Sequence, residues 1–324
     1  MKYTILKFAL LLSIVFYNGC SKKNDNPTGP SNTGQWTQIN GLNNFKTIVV
    51  NGANLFAAAG YGVFLSSDNG MNWTKRDSGL TYAPIYSLAV HKNGTSGTNL
   101  FAGTWNGGVF LSANNGTSWT SANTGLPFLD VTCLAVRDSF LFAGVNGSGV
   151  FFSTNNGSNW TAINNGLTTI TIWSLAVSGS NLFAGTPFGV YLSTNNGNNW
   201  ALADSGLEYN YLDPPWVGAL AVSSTNIYAG VVGGKVFRST NNGISWARIR
   251  TGQAIEGQSF TCLAVSDSNI FVGTNSGIFL STNNGTSWTN ITDNLSNTTM
   301  DALAAGNKYL FVETGDGKVW RRSF

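Results

Sequence analysis

The sequence has few charges, one histidine and three cysteines, and these shortages argue against several classes of function. Charged residues make up 10% of the 324 residues, and the net charge is +3. A nucleic-acid-binding protein would need a basic stripe, but the lysines and arginines are scattered along this chain. One His and three Cys leave too few ligands for most zinc sites and argue against Ser/His/Asp or Cys/His catalysis.

Helical periodicity is also absent after the first twenty residues, and the chain has only 7 Pro beside 39 Gly. Short runs of β-branched and aromatic residues alternate with turn residues, which is typical of β-strands. An apolar fraction of 42% is too high for a disordered chain. We therefore expect an all-β protein.

The N-terminus has the features of an export signal. Two lysines precede an apolar run over residues 8–16, which is too short to span a bilayer as a helix. The run ends at Gly19-Cys20, which resembles the lipobox of bacterial lipoproteins, whose Cys becomes lipid-modified after cleavage. An ordinary secretory signal with an incidental Cys is the alternative.

The lipobox resemblance divides the chain and implies its location. We expect a signal peptide over residues 1–19, lipidation at Cys20, and a flexible tether over 20–34 that is rich in Pro, Gly and Asn. The resemblance implies a lipid-anchored protein of the bacterial cell envelope that contacts the membrane only through its lipid. Ser21 after the Cys implies the outer membrane, periplasmic or surface-facing.

A twelve-residue segment, GVFLSSDNGMNW at Gly62–Trp73, is the first of six similar copies, with the serine at positions 66, 112, 153, 193, 239 and 281. Two further apolar runs, one like SLAV and one like NLFAG, lie upstream of each copy and occur seven times. Each unit thus offers four strands. Four strands repeating every 40 to 46 residues is the size of a propeller blade.

The count of runs predicts how the ring closes. The seventh unit ends at Gly317–Phe324, which matches only the third strand. Its missing fourth strand is found at the other end of the chain, because Trp36–Ile39 copies Trp160–Ile163. We predict a single seven-bladed β-propeller over residues 35–324, with four-stranded blades and the last blade closed by the N-terminal strand.

The repeated turn resembles the Asp-box, or BNR, motif Ser-x-Asp-x-Gly-x-x-Trp. Ser66, Asp68, Gly70 and Trp73 match it fully. The other five copies keep the Trp and carry Asn for the Asp: Asn114, Trp119, Asn155, Trp160, Asn195, Trp200, Asn241, Trp246, Asn283 and Trp288. The resemblance implies a structural hairpin between the third and fourth strands. Because the Asn-containing turns lack the carboxylates of a calcium loop, we expect no metal and no cofactor.

Asp-box propellers include sialidases, xyloglucan-cleaving glucanases, sortilin-type receptors and the photosystem II assembly factor. No Arg precedes Arg76 and no Arg-Ile-Pro occurs, so the catalytic signature of the sialidases is missing. Glycoside hydrolysis needs two carboxylates facing one cleft. We expect the candidate carboxylates to be solvated loop groups, since nothing in their spacing pairs any two: Asp130, Glu208, Asp213, Asp301, Glu313 and Asp316.

The remaining candidate for a functional surface is one face of the propeller. This face carries the loops that lead from each fourth strand to the next first strand, together with the loops between second and third strands. The residues that enter the first strands are predicted to ring a central mouth: Lys46, Tyr86, Thr132, Trp173, Gly218, Thr261 and Asp301. The second-to-third-strand loops add Tyr61, Trp105, Phe188, Asn275 and Asp316. Aromatic residues on loops make good contact surface.

The connection Leu207–Gly218 differs from the short Gly-Leu turns elsewhere, because it is longer and rich in aromatic residues. The predicted ligand-binding residues are those of this loop and their neighbours at the mouth: Glu208, Tyr209, Tyr211, Asp213, Trp216, Trp173, Tyr86 and Trp105. We predict a monomeric, non-catalytic binding or assembly module for a glycan or an envelope protein or peptide. A sialidase-like glycoside hydrolase or lyase with a rearranged site, and an architectural surface protein, are the alternatives.

Overall fold

The computed structural model describes residues 11–12, 34–60, 62–81, 84–92, 98–208, 215–223, 226–231, 235–249, 255, 260–266, 268–306 and 308–324. Several predictions fall outside these residues. They are the signal peptide apart from residues 11–12, lipidation at Cys20, the tether before Gly34, and the placement of Tyr61, Tyr209, Tyr211 and Asp213.

The described chain folds into seven blades of four antiparallel strands, which confirms the predicted all-β propeller. The first strands, in blade order, are Phe45–Asn51, Ile85–Lys92, Val131–Arg137, Ser174–Ser178, Val217–Val222, Phe260–Ser266 and Met300–Gly306. The second strands are Asn54–Ala59, Thr98–Thr104, Phe140–Val145, Asn181–Thr186, Ile227–Val231, Asn269–Thr274 and Tyr309–Thr314.

The outer half of each blade is a hairpin of a longer and a very short strand. The third strands are Gly62–Ser66, Gly108–Ser112, Gly149–Ser153, Gly189–Ser193, Lys235–Ser239, Gly277–Ser281 and Val319–Ser323. The fourth strands are Thr74–Lys75, Thr120–Ser121, Thr161–Ala162, Ala201–Leu202, Ala247–Arg248, Thr289–Asn290 and, for blade 7, Thr37–Ile39. The two-residue strand Leu11–Leu12 pairs in parallel with the first strand of blade 6. Within the described ranges there is no helix, and hence none that could span a membrane.

The ring closes at blade 7, as the sequence predicted. Thr37, Gln38 and Ile39 pair antiparallel with Arg321, Trp320 and Val319. First strands of consecutive blades contact one another all round the ring, including those of blades 7 and 1. The N-terminal strand therefore covers what would otherwise be an open sheet edge.

Seven apolar clusters fill the seams between neighbouring blades. At the seam of blades 1 and 2, for example, Phe56 packs with Ile85 and Trp119. The middle strands are buried on both faces because each blade is covered on two sides, which explains their nearly continuous apolar sequence. The core is thus distributed around the ring rather than collected at one centre.

The hairpin turns are held by their own serine and acid or amide. The Ser66 hydroxyl accepts from the Gly70 amide at 2.8 Å and donates to Asp68 Oδ1 at 2.7 Å. Asp68 Oδ1 also accepts from the Asn72 amide at 2.9 Å. Where Asn replaces the Asp, its Oδ1 makes the same two kinds of bond, as Asn114 does with Ser112 and with the Ser118 amide. These bonds explain the repeated Ser, Asp or Asn, and Gly.

In four of the six hairpins the tryptophan ties its blade to the one before it, whereas the indole nitrogen of Trp288 is buried and has no hydrogen-bond partner among the described residues. The indole N–H of Trp119 donates to the carbonyl of Arg76, and that of Trp160 donates to the carbonyl of Ala122. Trp200 and Trp246 make the equivalent bonds. Trp73, the first copy, bonds the Gly70 carbonyl of its own turn instead. In these four hairpins the repeated Trp therefore links neighbouring blades by a hydrogen bond.

Cys133 and Cys262 are free and buried. Burial raises the pKa of each thiol to about 12. Both cysteines therefore serve as small core residues rather than as nucleophiles.

Candidate functional site

We call the side that carries the fourth-to-first-strand connections and the second-to-third-strand loops the loop face. At its centre, six of the seven predicted mouth residues stand on β-bulges. The register shifts at the predicted residue in six blades: Lys46, Tyr86, Thr132, Gly218, Thr261 and Asp301. In blade 4, the Trp173 amide donates to the Gly185 carbonyl at 3.0 Å. A bulge leaves its extra residue out of the ladder and re-aims the side chain. We call these seven residues the bulge ring.

Two aromatic pairs lie on this face, and both join residues predicted from the sequence. The rings of Tyr86 and Trp105 meet edge to face with centroids 5.7 Å apart. Trp173 of blade 4 meets Trp216, the residue before the first strand of blade 5, at 5.6 Å. Trp105 and Trp216 are 43% and 38% exposed. The structure thus brings the four described aromatic residues of the prediction together in pairs.

Further exposed apolar side chains surround these pairs and form what we call the apolar arc, across blades 2 to 5. Its members are large hydrophobic residues on connections of the loop face: Trp105, Phe128, Leu129, Ile170, Phe188 and Trp216. Neighbouring loops are joined by backbone bonds from Gly108 to Leu129 and from Gly149 to Ile170. The other exposed large hydrophobics of the described chain lie in hairpin turns or on a fourth strand: Met71, Leu202 and Ile244.

Phe128, Leu129 and Ile170 were not among the residues predicted from the sequence, because the connections after Gly-Leu were interpreted as simple turns. Each is exposed in the connection just before a first strand, although apolar neighbours such as Ile172 are buried there. Large apolar side chains exposed on one face mark an interaction surface on many soluble proteins.

Glu208 belongs to the predicted set but is engaged elsewhere. Its carboxylate lies 2.7 Å from Lys235 Nζ and 3.1 Å from Arg248 Nη1, both on the outer strands of blade 5. The hydrogen bond from Lys235 is the main cause that lowers the pKa of Glu208. Its ion pairs therefore direct Glu208 toward the rim of blade 5.

The opposite side of the mouth, at the seam of blades 7 and 1, carries charges. Lys46 and Asp301 occupy the bulge ring there, and Glu313 lies in the second strand of blade 7. The expectation of a solvated loop carboxylate is wrong for Glu313, which is only 5% exposed. Burial raises the pKa of Glu313 to about 7, against the lowering effects of Lys46 and of hydrogen bonds from the Phe45 and Asn44 amides. The nearby Asp301 carboxylate raises it further.

Alignment of the blades explains why Glu313 is buried. The other blades carry only Gly or Ala at its position: Ala58, Gly103, Gly144, Gly185, Gly230 and Gly273. The space there is narrow, since a Cβ on Gly144 would lie 2.5 Å from Cys133 Sγ. In blade 7, Ala302 pairs with Glu313 where Cys133 pairs with Gly144. The smaller Ala302 leaves room for a longer side chain at this seam.

Asp301 and Glu313 are close enough to interact electrostatically, and burial raises the pKa of both. A pair of carboxylates with raised pKa values is the usual material of acid–base catalysis. Here Glu313 accepts backbone hydrogen bonds and faces the blade seam, away from solvent. Among the described side chains, no group of three or more His, Cys, Asp or Glu residues is placed to hold a metal ion.

No protein-family model and no curated protein matches the chain. Solved structures match over nearly all of it. The extracellular domain of a hybrid two-component system from B. thetaiotaomicron has a TM-score of 0.71 at 17% identity, covering 90% of this chain and 40% of that one. YCF48 bound to D1 peptide has a TM-score of 0.66 at 16% identity, covering 92% and 97%. The GH74 xyloglucanase from Xanthomonas campestris has a TM-score of 0.69 at 17% identity, covering 90% and 54%.

At these identities the likeness establishes the fold and leaves the activity open. The chain spans about two fifths of the length of the first of these structures. The similar structures include a hydrolase, a peptide-bound protein and an extracellular domain. This chain is accordingly a seven-bladed β-propeller of the kind found in both enzymes and binding proteins.

Proposed function

We propose that this protein is a non-catalytic binding module that holds a protein or peptide partner on the apolar arc. The observation that carries the proposal is the concentration of exposed apolar side chains on one sector of one face. Exposed Phe, Leu and Ile cost free energy in water unless a partner covers them. Tyr86 and Trp173, on the bulge ring behind them, supply rigid aromatic contacts.

The side chains of the arc favour a protein or peptide over a glycan. Sugar sites stack a sugar on an aromatic ring and surround it with polar groups that bond its hydroxyls. Phe128, Leu129 and Ile170 offer no hydrogen-bonding groups in their side chains. YCF48, which resembles this chain in fold, has been solved with a bound peptide, and this supports the same use of the fold here.

The pair Asp301 and Glu313 favours hydrolysis as a second candidate. Two coupled carboxylates with raised pKa values would suit general acid catalysis. We place it second because Glu313 is buried and bonded to the backbone of the neighbouring blade. A Glu313→Gln variant distinguishes the two: loss of a glycosidase or lyase activity supports catalysis, and unchanged ligand binding supports the binding module.

We further propose that the protein is exported and anchored in the cell envelope by a lipid on Cys20, in the outer membrane. The apolar run over residues 8–16 and the Gly19-Cys20 sequence support export and lipidation. The likeness in fold to an extracellular domain from B. thetaiotaomicron is consistent with that location. The Asp-box motif of Ser66–Trp73 supports a place among the Asp-box propellers.

The test uses the full-length chain on a peptide array and a glycan array, with two matched variants. Ile170→Ser removes an apolar side chain of the arc, and Ile244→Ser removes one that is also exposed but lies in a hairpin turn. We expect peptide binding that Ile170→Ser weakens about tenfold or more and Ile244→Ser leaves unchanged. Equal effects of the two substitutions, or binding of glycans alone, would overturn the proposal, and no ligand on either array would favour the architectural alternative.

A further inference from the structure

Beside the Tyr86–Trp105 pair lies a carboxylate whose hydrogen bonding is incomplete. Asp130 precedes the first strand of blade 3, and its carbonyl accepts from the Asn146 amide at 2.9 Å. Its Oδ2 accepts from Asn146 Nδ2, also at 2.9 Å. Its Oδ1 is buried and has no hydrogen-bond partner among the described residues. We call Asp130, Asn146, Tyr86 and Trp105 the Asp130 notch.

The notch combines a negative charge with aromatic rings. The charge of Asp130 acts on the phenol of Tyr86 and, after burial, is the second cause that raises the pKa of Tyr86. Trp105 packs edge to face against Tyr86 and is exposed. The loop of Trp105 is joined to the segment before Asp130 by the bond from Gly108 to Leu129. Carboxylate and rings therefore face one small region of the loop face.

Among the described residues, no cation lies within 4 Å of Asp130, and the same holds for Asp68, Asp138, Asp204, Asp301 and Glu313. Asp77, Glu208, Asp293 and Asp316 each form an ion pair with a lysine or arginine. Burial raises the pKa of Asp130, and the hydrogen bond from Asn146 acts in the opposite direction. Among the described residues at or just before the bulge positions of blades 2 to 5, Asp130 alone is charged.

The chemistry of the notch selects one kind of ligand. A buried carboxylate oxygen without a donor is costly, and a donor that also carries positive charge relieves the cost most fully. Aromatic rings attract the same cation through their faces. The carboxylate shares its charge between both oxygens, so a cation that approaches on the side of Oδ2 also compensates the charge on the buried Oδ1. A divalent metal ion would need several oxygen ligands and finds one carboxylate here.

We propose that the Asp130 notch binds a basic side chain, lysine or arginine, of a peptide whose apolar residues cover the apolar arc. The inference rests on the proposed function and adds that the partner peptide carries a positive charge. Arc and notch are adjacent because Leu129 of the arc directly precedes Asp130 and Trp105 belongs to both. The expected partner segment is therefore apolar with a basic residue in it.

The experiment measures binding of fluorescent nonapeptide libraries to the full-length chain. One library fixes lysine or arginine at its centre, and the matched library fixes their neutral counterparts, acetyl-lysine or citrulline. We expect the wild type to bind the basic library about tenfold more tightly than the neutral one. This is the ordinary size of the attraction of a cation to a carboxylate and aromatic rings. Asp130→Asn should remove this preference while retaining binding of the neutral library.

Asp138→Asn is the matched control, since Asp138 lies in the turn after the first strand of blade 3, at the opposite end of that strand. It should leave the preference intact. Equal binding of both libraries by the wild type would overturn the basic subsite while leaving peptide binding in place. Failure of both libraries to bind would overturn the proposed function as well. Should Asp130→Asn fold poorly, Tyr86→Leu removes the aromatic ring beside the notch and should lower the same preference.

Discussion

The indole N–H of Trp36 donates a 2.6 Å hydrogen bond to the carbonyl of Ile291, 255 residues later in the chain. Trp36 is thereby the counterpart of the four hairpin tryptophans that bond the preceding blade in the same way. It fastens blade 7 to blade 6 although it comes from the other end of the sequence. Its burial in the seam of those blades makes it part of their core.

Trp36→Ala should lower the free energy of unfolding by about 3–5 kcal/mol, because it removes a buried indole from a seam. Trp36→Phe should cost about 1 kcal/mol, since Arg322 Nη1 also donates to the Ile291 carbonyl and leaves it a partner. Chemical unfolding monitored by fluorescence measures both changes. Wild-type stability of Trp36→Ala would contradict closure by the N-terminal strand.

Glu313 should make the protein less stable as the pH rises from about 4.5 to about 7. Its pKa is about 7 when folded against 4.5 ordinarily, so between these values the folded chain keeps a proton that the unfolded chain has lost. Glu313→Gln should remove most of this loss and gain up to about 3 kcal/mol over wild type at pH 8, with little change at pH 4. Melting temperatures across this range measure the effect.

Glu208→Gln is the control for that experiment. Glu208 is exposed and its pKa is lowered, so its substitution should not stabilise the protein at pH 8. Asp301 remains in the Glu313→Gln variant, and burial raises its pKa too. The stability of this variant should therefore still fall slightly as the pH rises. A Glu313→Gln variant with the wild-type pH profile would show that Glu313 is ionised and well solvated.

Asp68 should be replaceable by Asn but not by Ala. Asn in the other turns accepts the same bonds from serine and backbone, so Asp68→Asn should be nearly neutral at pH 7. Asp68→Ala should cost about 1 kcal/mol through lost turn bonds. Hydrogen bonds, chiefly from Asn72, hold the pKa of Asp68 at about 2, so its stabilising effect should fade as the pH falls from 4 to 2. Thermal unfolding at pH 7 and pH 3 tests both statements.

Trp216 should contribute to ligand binding and little to folding. It is 38% exposed and rests on Trp173, so Trp216→Ala should weaken peptide binding by about 1–3 kcal/mol with a small change in melting temperature. Trp246→Ala is the matched control, since Trp246 is buried and fastens blade 5 to blade 4. If Trp216→Ala destabilises the fold as strongly as Trp246→Ala, Trp216 is a packing residue.

Cys20→Ala should release the protein from the membrane fraction or block its processing, because the lipid would have no attachment point. Fractionation of cells with immunoblotting provides the measurement. Cys262→Ala should leave the distribution unchanged, since that thiol is buried in the propeller. Membrane association that survives Cys20→Ala would contradict the lipid anchor.

The fold was predictable from the sequence because each blade repeats the same strands and turns. The copy of Trp160–Ile163 at Trp36–Ile39 was enough to locate the closing strand, which pairs with Val319–Arg321. Mouth residues were also predictable, since their place before each SLAV-like run is fixed by the register. The bulges that carry them were not, because strands buried on both faces are apolar at consecutive positions, so a one-residue shift leaves no mark in their pattern.

The site was predictable only in part. Trp173 and Trp216 are far apart in sequence, and their contact depends on two blades meeting at one seam. The position of Glu313 could have been found by aligning YLFVET with NLFAGT, which sets the Glu against a Gly. Its neighbours Lys46 and Phe45 come from the first blade, so only ring closure brings them to it.

The direction in which the chain enters the ring orients the whole molecule. Trp36 stands where the other blades have their hairpin tryptophan, and Thr37–Ile39 runs from there toward the loop face. The chain therefore enters the closing strand from the side opposite the apolar arc. A support attached on that side would leave the apolar arc facing the solvent, so that a partner could reach it without passing the support.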